Sequence, residues 1–192
     1  EIFFSKKLNR VIINIGGITN ITRLIPGKKI IGWDSGPGNC MIDQCVKEFS
    51  SNKMQFDDKG RIAKKGNANS LIKEINKVLS MSYFQENLPK SQSTINFNFN
   101  KLSKSNLNKY SFADWAAAMT EITALSIVKD VDKFCNADKV EIYFCGGGSK
   151  NDYLIKRIES LLDENYTIKK IKNMGLDPML VEACTFAWLG KK

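Results

Sequence analysis

The sequence predicts an α/β domain in which an antiparallel three-strand meander is continued by strand and helix alternation. Three observations carry this. Short apolar runs at 11–15, 18–24 and 29–33 are joined by turns too brief for a crossover, so neighbouring strands must run antiparallel. The hydrophobic period then changes from two to about 3.6 residues. Beyond residue 139, strand and helix patterns alternate.

The first run closes on Gly16-Gly17 and the second alternates before Pro26-Gly27, which reads as a hairpin; residues 29–33 supply the third strand. After Gly36-Pro37-Gly38-Asn39, the residues Met41, Ile42, Cys45, Val46 and Phe49 recur at helical spacing. Leu71, Ile72, Ile75, Val78 and Leu79 mark a second amphipathic helix over 70–80, and Tyr83-Phe84 begins a further short element. From 86 to 111 the chain is rich in Asn, Lys and Ser, with a weak alternation at Ile95, Phe97 and Phe99, which predicts a long loop or mobile insertion within one domain. Phe112, Trp115, Met119, Ile122, Leu125 and Val128 then define the longest helix, whose alanines at 116–118 permit close packing. A buried strand follows over 140–145, a helix over 151–162, a strand over 167–171, and a last helix over 178–189 with Pro178 in its first turn.

A chain of 192 residues, 43% hydrophobic and 26% charged, fits one core or one half of a two-domain protein, and its composition excludes disorder as the main state. No stretch approaches the roughly 20 apolar residues of a membrane span, and the N-terminus lacks the layout of a signal peptide, so no membrane association and a cytoplasmic location are expected. The first residue is Glu1, which predicts processing or cutting of a longer chain. There is no histidine, which excludes Ser-His-Asp and Cys-His catalysis and every His-containing zinc site. The five cysteines, Cys40, Cys45, Cys135, Cys145 and Cys184, include no Cys-x-x-Cys pair and read as reduced, mostly buried thiols. The net charge of +9 raises nucleic acid as a partner; scattered lysines and only four arginines, Arg10, Arg23, Arg61 and Arg157, argue against it.

Chemistry concentrates in three glycine-rich turns. In Asn14-Ile15-Gly16-Gly17-Ile18-Thr19-Asn20, unobstructed amides can approach an anion, although Gly-Gly also serves a hairpin for conformational reasons alone. Asp34-Ser35-Gly36-Pro37-Gly38-Asn39 leads from strand to helix and places amides at a helix N-terminus, with Asp34 able to hold a hydrated metal ion; equally, Asn39 caps the helix and Asp34 satisfies the turn. Cys145-Gly146-Gly147-Gly148-Ser149-Lys150-Asn151 has neither Walker A nor dinucleotide-fingerprint spacing, and either admits a flat base or ribose or is a plain loop. Ligands in such sheets gather where strand-end loops converge, so the three together favour nucleotide binding.

Seven blocks in order, NIGGITNIT (14–22), GWDSGPGNCMID (32–43), FDDKGRIAKKG (56–66), Pro89-Lys90-Ser91, MTEITA (119–124), CGGGSKN (145–151) and EACTFAWLG (182–190), resemble the C-terminal half of the anhydro-N-acetylmuramic acid kinase family. That family has the ribonuclease H-like, actin-type ATPase fold. The resemblance implies ATP-dependent phosphorylation of 1,6-anhydro-N-acetylmuramic acid with opening of the anhydro ring, giving the 6-phosphate in cell-wall recycling, with ATP and Mg²⁺ as cofactors. It further implies that Gly16, Gly17 and Asn20 form a phosphate loop, that Asp34, Gly36, Gly38 and Asn39 lie near phosphate and Mg²⁺ without ligating the metal directly, that Gly146, Gly147, Gly148 and Asn151 line the adenosine pocket, and that Glu182 faces the sugar.

Two departures accompany the match. The family's first phosphate loop and the aspartate that activates water lie upstream of Asn14 and have no counterpart here, and Gln92-Ser93-Thr94-Ile95-Asn96 replaces the family's Thr-Gly-Arg-acidic segment. The chain thus reads over 1–192 as one lobe of a two-lobed kinase whose N-terminal lobe is absent. An uncovered interlobe face would drive aggregation or pairing into a homodimer. The rival readings are a non-catalytic nucleotide- or partner-binding module of the same fold and a metal-dependent nuclease, the latter disfavoured because the first strand offers Asn14 in place of a carboxylate.

Overall fold

Val11, Ile13 and Ile15 alternate with Arg10, Ile12 and Asn14, which gives the first strand one fully buried face and one mixed face. The structure, a computed structural model, describes residues 3–175 and 177–190, apart from the side chains of 173, 174, 182, 185, 186, 188 and 189. Strands β1 (Asn9–Ile15), β2 (Ile18–Leu24) and β3 (Ile31–Pro37) are followed by helices α1 (Cys40–Phe49), α2 (Ile72–Leu79), α3 (Phe99–Ser103) and α4 (Phe112–Phe134). Strand β4 (Val140–Cys145), helix α5 (Asp152–Leu161), strand β5 (Tyr166–Lys169) and helix α6 (Val181–Gly190) complete the order. The sheet runs β3-β2-β1-β4-β5, antiparallel through the first three strands and parallel from β1 to β4 and β5. This is the predicted meander with its alternating continuation.

The buried face of the sheet, with Ile21 and Trp33 continuing the row of Val11, Ile13 and Ile15, packs on Ala124, Ile127 and Val131 of α4 and on Leu154 and Ile158 of α5. Farther along α4, Trp115, Met119 and Ile122 pack with Met41 and Cys45 of α1 and Ile75 and Val78 of α2. Being buried on nearly every side, α4 acts as the central post of the domain. Its start is held by a capping box between Ser111 and Asp114, and the Asp114 carboxylate also accepts the Asn67 amide at 2.7 Å.

Two expectations are corrected. Strand β3 does not end at Trp33 but runs through Asp34-Ser35-Gly36 to Pro37, because its pairing with β2 persists as far as Ile18. Asn20 pairs with Asp34 and Thr19 with Gly36, which leaves Ser35 as an extra, bulged residue. Residues 86–111 are not a plain loop: they carry α3 and short 3₁₀ turns, and they bury Phe97, Phe99 and Leu102 in the cluster around α4. The weak alternation at Phe97 and Phe99 recorded this burial, but Asn and Lys on the outer side masked it. Lys90 pins the start of the segment. Its ammonium, fully buried, lies 3.0 Å from Asp130 of α4, which also accepts the Trp33 indole N–H at 2.9 Å.

Candidate functional site

All three glycine turns lie at the same end of the sheet, where β1 and β4 finish and α1 begins. The hairpin carbonyls receive the helix start: Asn39 donates its amide to Gly16 at 2.7 Å, while Gly38 and Cys40 donate to Gly17 at 2.9 and 3.2 Å. The first amides of α1 are therefore occupied by protein, and the expected set of free anion-binding amides is not present at these three positions. Nor does the Asn39 side chain cap the helix; its Nδ2 donates to the Ile15 carbonyl at 3.3 Å. Gly36 turns inward, so that a Cβ there would meet Phe84 at 2.9 Å and Ser126 at 3.1 Å, and it faces packed core.

The turn after β4 lies directly on β1. Gly146 is left-handed with φ 76°, and a Cβ on it would overlap the Asn14 carboxamide and come within 2.8 Å of the Ile15 carbonyl oxygen, so only glycine fits. Gly148 presses equally closely on Ile15, whereas among the described residues Gly147 has only Asn39 Nδ2, at 3.7 Å, before the position a Cβ would take. Asn151 is nearly buried and uses its carboxamide oxygen to cap α5 through the Leu154 amide at 3.0 Å.

Gly147, Asn39 and Asn151 share a cleft of about 370 Å³. Its other walls were not foreseen. Ile42 and Asp43 come from α1, Phe56 to Lys59 from the connection between α1 and α2, and Lys150 and Met179 from either side of α5 and β5. The FDDKG block was the available signal, but its spacing alone assigns it no chemistry. Burial, opposed by the Lys47 charge, pushes the Asp43 carboxyl up to about 6. Among the described residues no group of three or more Cys, Asp or Glu side chains is arranged to hold a metal ion, and no helix is long and apolar enough to cross a membrane.

Asn20 and Asp34 form a second group on the mixed face of the sheet. Asn20 donates to Asp34 Oδ1 at 3.2 Å, and Oδ2 accepts the Ser91 hydroxyl and the Gln92 amide, each at 2.9 Å. The Asp34 amide in turn donates to the Lys90 carbonyl at 3.1 Å, and Tyr83 donates its hydroxyl to the Asp34 carbonyl. Thus Asp34 holds the 90–92 segment at the sheet edge and does not line the cleft. Thr94, farther along the segment, lies against Gly17, so a Cβ on that glycine would meet its methyl at 3.2 Å. Glu182 belongs to α6, and its side chain lies outside the described residues.

The strand order, the central helix and the strand-end cleft define an α/β domain of the ribonuclease H-like, actin-type ATPase fold. A solved structure with this arrangement is the activator of the 2-hydroxyisocaproyl-CoA dehydratase from Clostridium difficile, which matches at a TM-score of 0.53 and 14% identity over 87% of this chain and 56% of that one. The family model for anhydro-N-acetylmuramic acid kinase matches residues 1–192, and the chain belongs to that family. Relatives named anhydro-N-acetylmuramic acid kinase include those of Shewanella denitrificans, 34% identical over 100% of this chain, and Coxiella burnetii, 36% identical over 96%. The chain spans about half the length of these curated relatives, 51% and 49% respectively.

Proposed function

We propose that this chain supplies the nucleotide-contacting half of an ATP-dependent kinase that phosphorylates 1,6-anhydro-N-acetylmuramic acid and opens its anhydro ring, a cytoplasmic step of cell-wall recycling. The observation that carries this is the cleft floored by Gly147 between Asn39 and Asn151, in a chain of this family. The C. difficile activator of the same fold was solved with bound ADPNP, which supports a nucleotide as the occupant. Membership of a kinase family weighs for the enzyme over a non-catalytic module of the same fold.

In this reading Gly147 admits the flat adenosine, since a side chain there would project into the cleft, and the hairpin Gly16-Gly17 with Asn20 forms the rim toward the phosphates. Asp34, saturated by Asn20, Ser91 and Gln92, keeps that rim and the 90–94 segment in register. Mg²⁺ would arrive on the nucleotide phosphates, where it would neutralise charge during phosphoryl transfer, since among the described residues no group of three Cys, Asp or Glu side chains is arranged to hold it directly. Glu182 is the candidate contact to the sugar. The group that activates the attacking water is expected in the part of the relatives' length that this chain does not span.

The test is calorimetric titration of the 192-residue chain with a non-hydrolysable ATP analogue and Mg²⁺, repeated with Gly147→Val. Binding that the valine abolishes supports the cleft as the nucleotide site. Wild-type affinity in the variant, or no binding in either protein, overturns it.

A further inference from the structure

Two of the large exposed apolar side chains of this protein, Phe56 at 60% and Met179 at 44% exposure, line the same cleft although they lie far apart in sequence. We infer that Phe56 is the residue on which the nucleotide's base stacks, and that the 56–60 turn is a preformed wall of the site; this rests on the nucleotide reading above. Scattered exposed apolar residues need no explanation, but an exposed aromatic on a rigid mount beside a glycine floor is a different case.

The mount is rigid for identifiable reasons. Asp57, only 4% exposed, accepts the Ile62 and Ala63 amides with its two carboxylate oxygens, both at 2.9 Å. Its carbonyl accepts the Gly60 amide at 3.1 Å. Lys59 and Gly60 are both left-handed, with φ of 56° and 70°, and a lysine held there marks backbone strain that the surroundings must sustain. The bend brings Gly60 so close to the start of α5 that a Cβ on it would overlap the Asn151 carboxamide and stand 2.5 Å from Tyr153 Cβ. The turn is thereby clamped onto the segment that follows Gly147. Phe56, one residue before the buried Asp57, has its position set while its ring remains in water.

An aromatic ring so placed gains most from a flat partner that covers it, because stacking adds to simple area burial. Phosphate groups gain nothing from Phe56, and Lys59 and Lys150 line the same cleft for them. The roles of ring and cations can therefore be separated by ligand.

The experiment titrates wild type, Phe56→Ala and Phe56→Trp with adenosine, with a non-hydrolysable ATP analogue and with inorganic triphosphate, and records melting curves alongside. Phe56→Ala should weaken the ATP analogue about tenfold or more and adenosine similarly, leave triphosphate unchanged, and melt as wild type does because little of Phe56 is buried. Phe56→Trp should restore affinity, and its new indole emission should be quenched on binding. Unchanged adenosine affinity in Phe56→Ala while wild type binds would overturn the stacking role alone. Failure of wild type to bind any nucleotide would overturn the nucleotide reading and this inference together.

Discussion

Asp43 sits in the first turn of α1 with its carboxyl facing the cleft and raised to about 6 by burial. The unfolded chain titrates this group near 4, so the folded state binds the extra proton between about pH 4 and 6. Its favourable contribution is accordingly complete below about pH 4 and lost as pH rises through 6. Since the group is only partly buried and solvent screens it, Asp43→Asn should stabilise the fold by on the order of 1 kcal/mol at pH 7.5 and by nothing measurable at pH 4. Thermal melts of both proteins at the two pH values would decide this; equal differences at both would refute it.

Lys90 presents the opposite situation, a cation buried against Asp130 beside the Tyr83 ring, whose centroid is 4.8 Å from the ammonium. Burial raises the Asp130 carboxyl, while the hydrogen bond and charge of Lys90 and the Trp33 indole pull it back. Removing the cation strands the carboxylate, so Lys90→Met should cost about 3–5 kcal/mol in urea unfolding, and Lys90→Met with Asp130→Leu should recover much of that loss. A near-neutral single variant would show that the pair does not hold the 90–92 segment. In the sequence Lys90 stands in the Pro89-Lys90-Ser91 block, but nothing there shows that its ammonium is buried or that its partner is Asp130, forty residues away.

At the scale of elements, the turn after β4 divides its glycines by what each touches. Gly148 meets the Ile15 side chain, with Ile15 Cβ 2.7 Å from where its own Cβ would stand, whereas Gly147 faces the cleft. Gly148→Ala should therefore destabilise by about 1–3 kcal/mol through overpacking, while Gly147→Ala should change stability by less than about 0.5 kcal/mol. Denaturant midpoints of the two variants measure the difference, and equal costs would mean that the turn repacks freely. The sequence announces three glycines in a row, but which of them supports the fold and which leaves room for a ligand depends on the position of β1. The same holds for the helix start at Asn39, where a capping residue was legible but the hairpin carbonyls, remote in sequence, take the amides instead.

At the scale of the molecule, a half-site should bind without turning over. If the water-activating group lies outside these residues, the 192-residue chain should show sugar kinase turnover at least about 10²-fold below a full-length relative. Release of ADP in the presence of the anhydro sugar is the readout, and turnover at the relative's level would show that the reacting groups are all present. The interlobe face of the reading predicts self-association as well, which sedimentation at rising concentration would detect.

The sequence by itself determined the order of elements along the chain, the antiparallel meander, the long central helix and the family, because hydrophobic period, short turns and aligned motif blocks are local or additive signals. Tertiary structure alone decided the composition of the cleft, where Phe56, Lys59 and Met179 join Gly147 and Asn39, distant in the chain. It also decided that Asp34 anchors the 90–92 segment and that Phe97 and Phe99 belong to the core. Each of these depends on which groups meet across the fold, and contact between distant residues leaves no periodic trace in the chain that makes it.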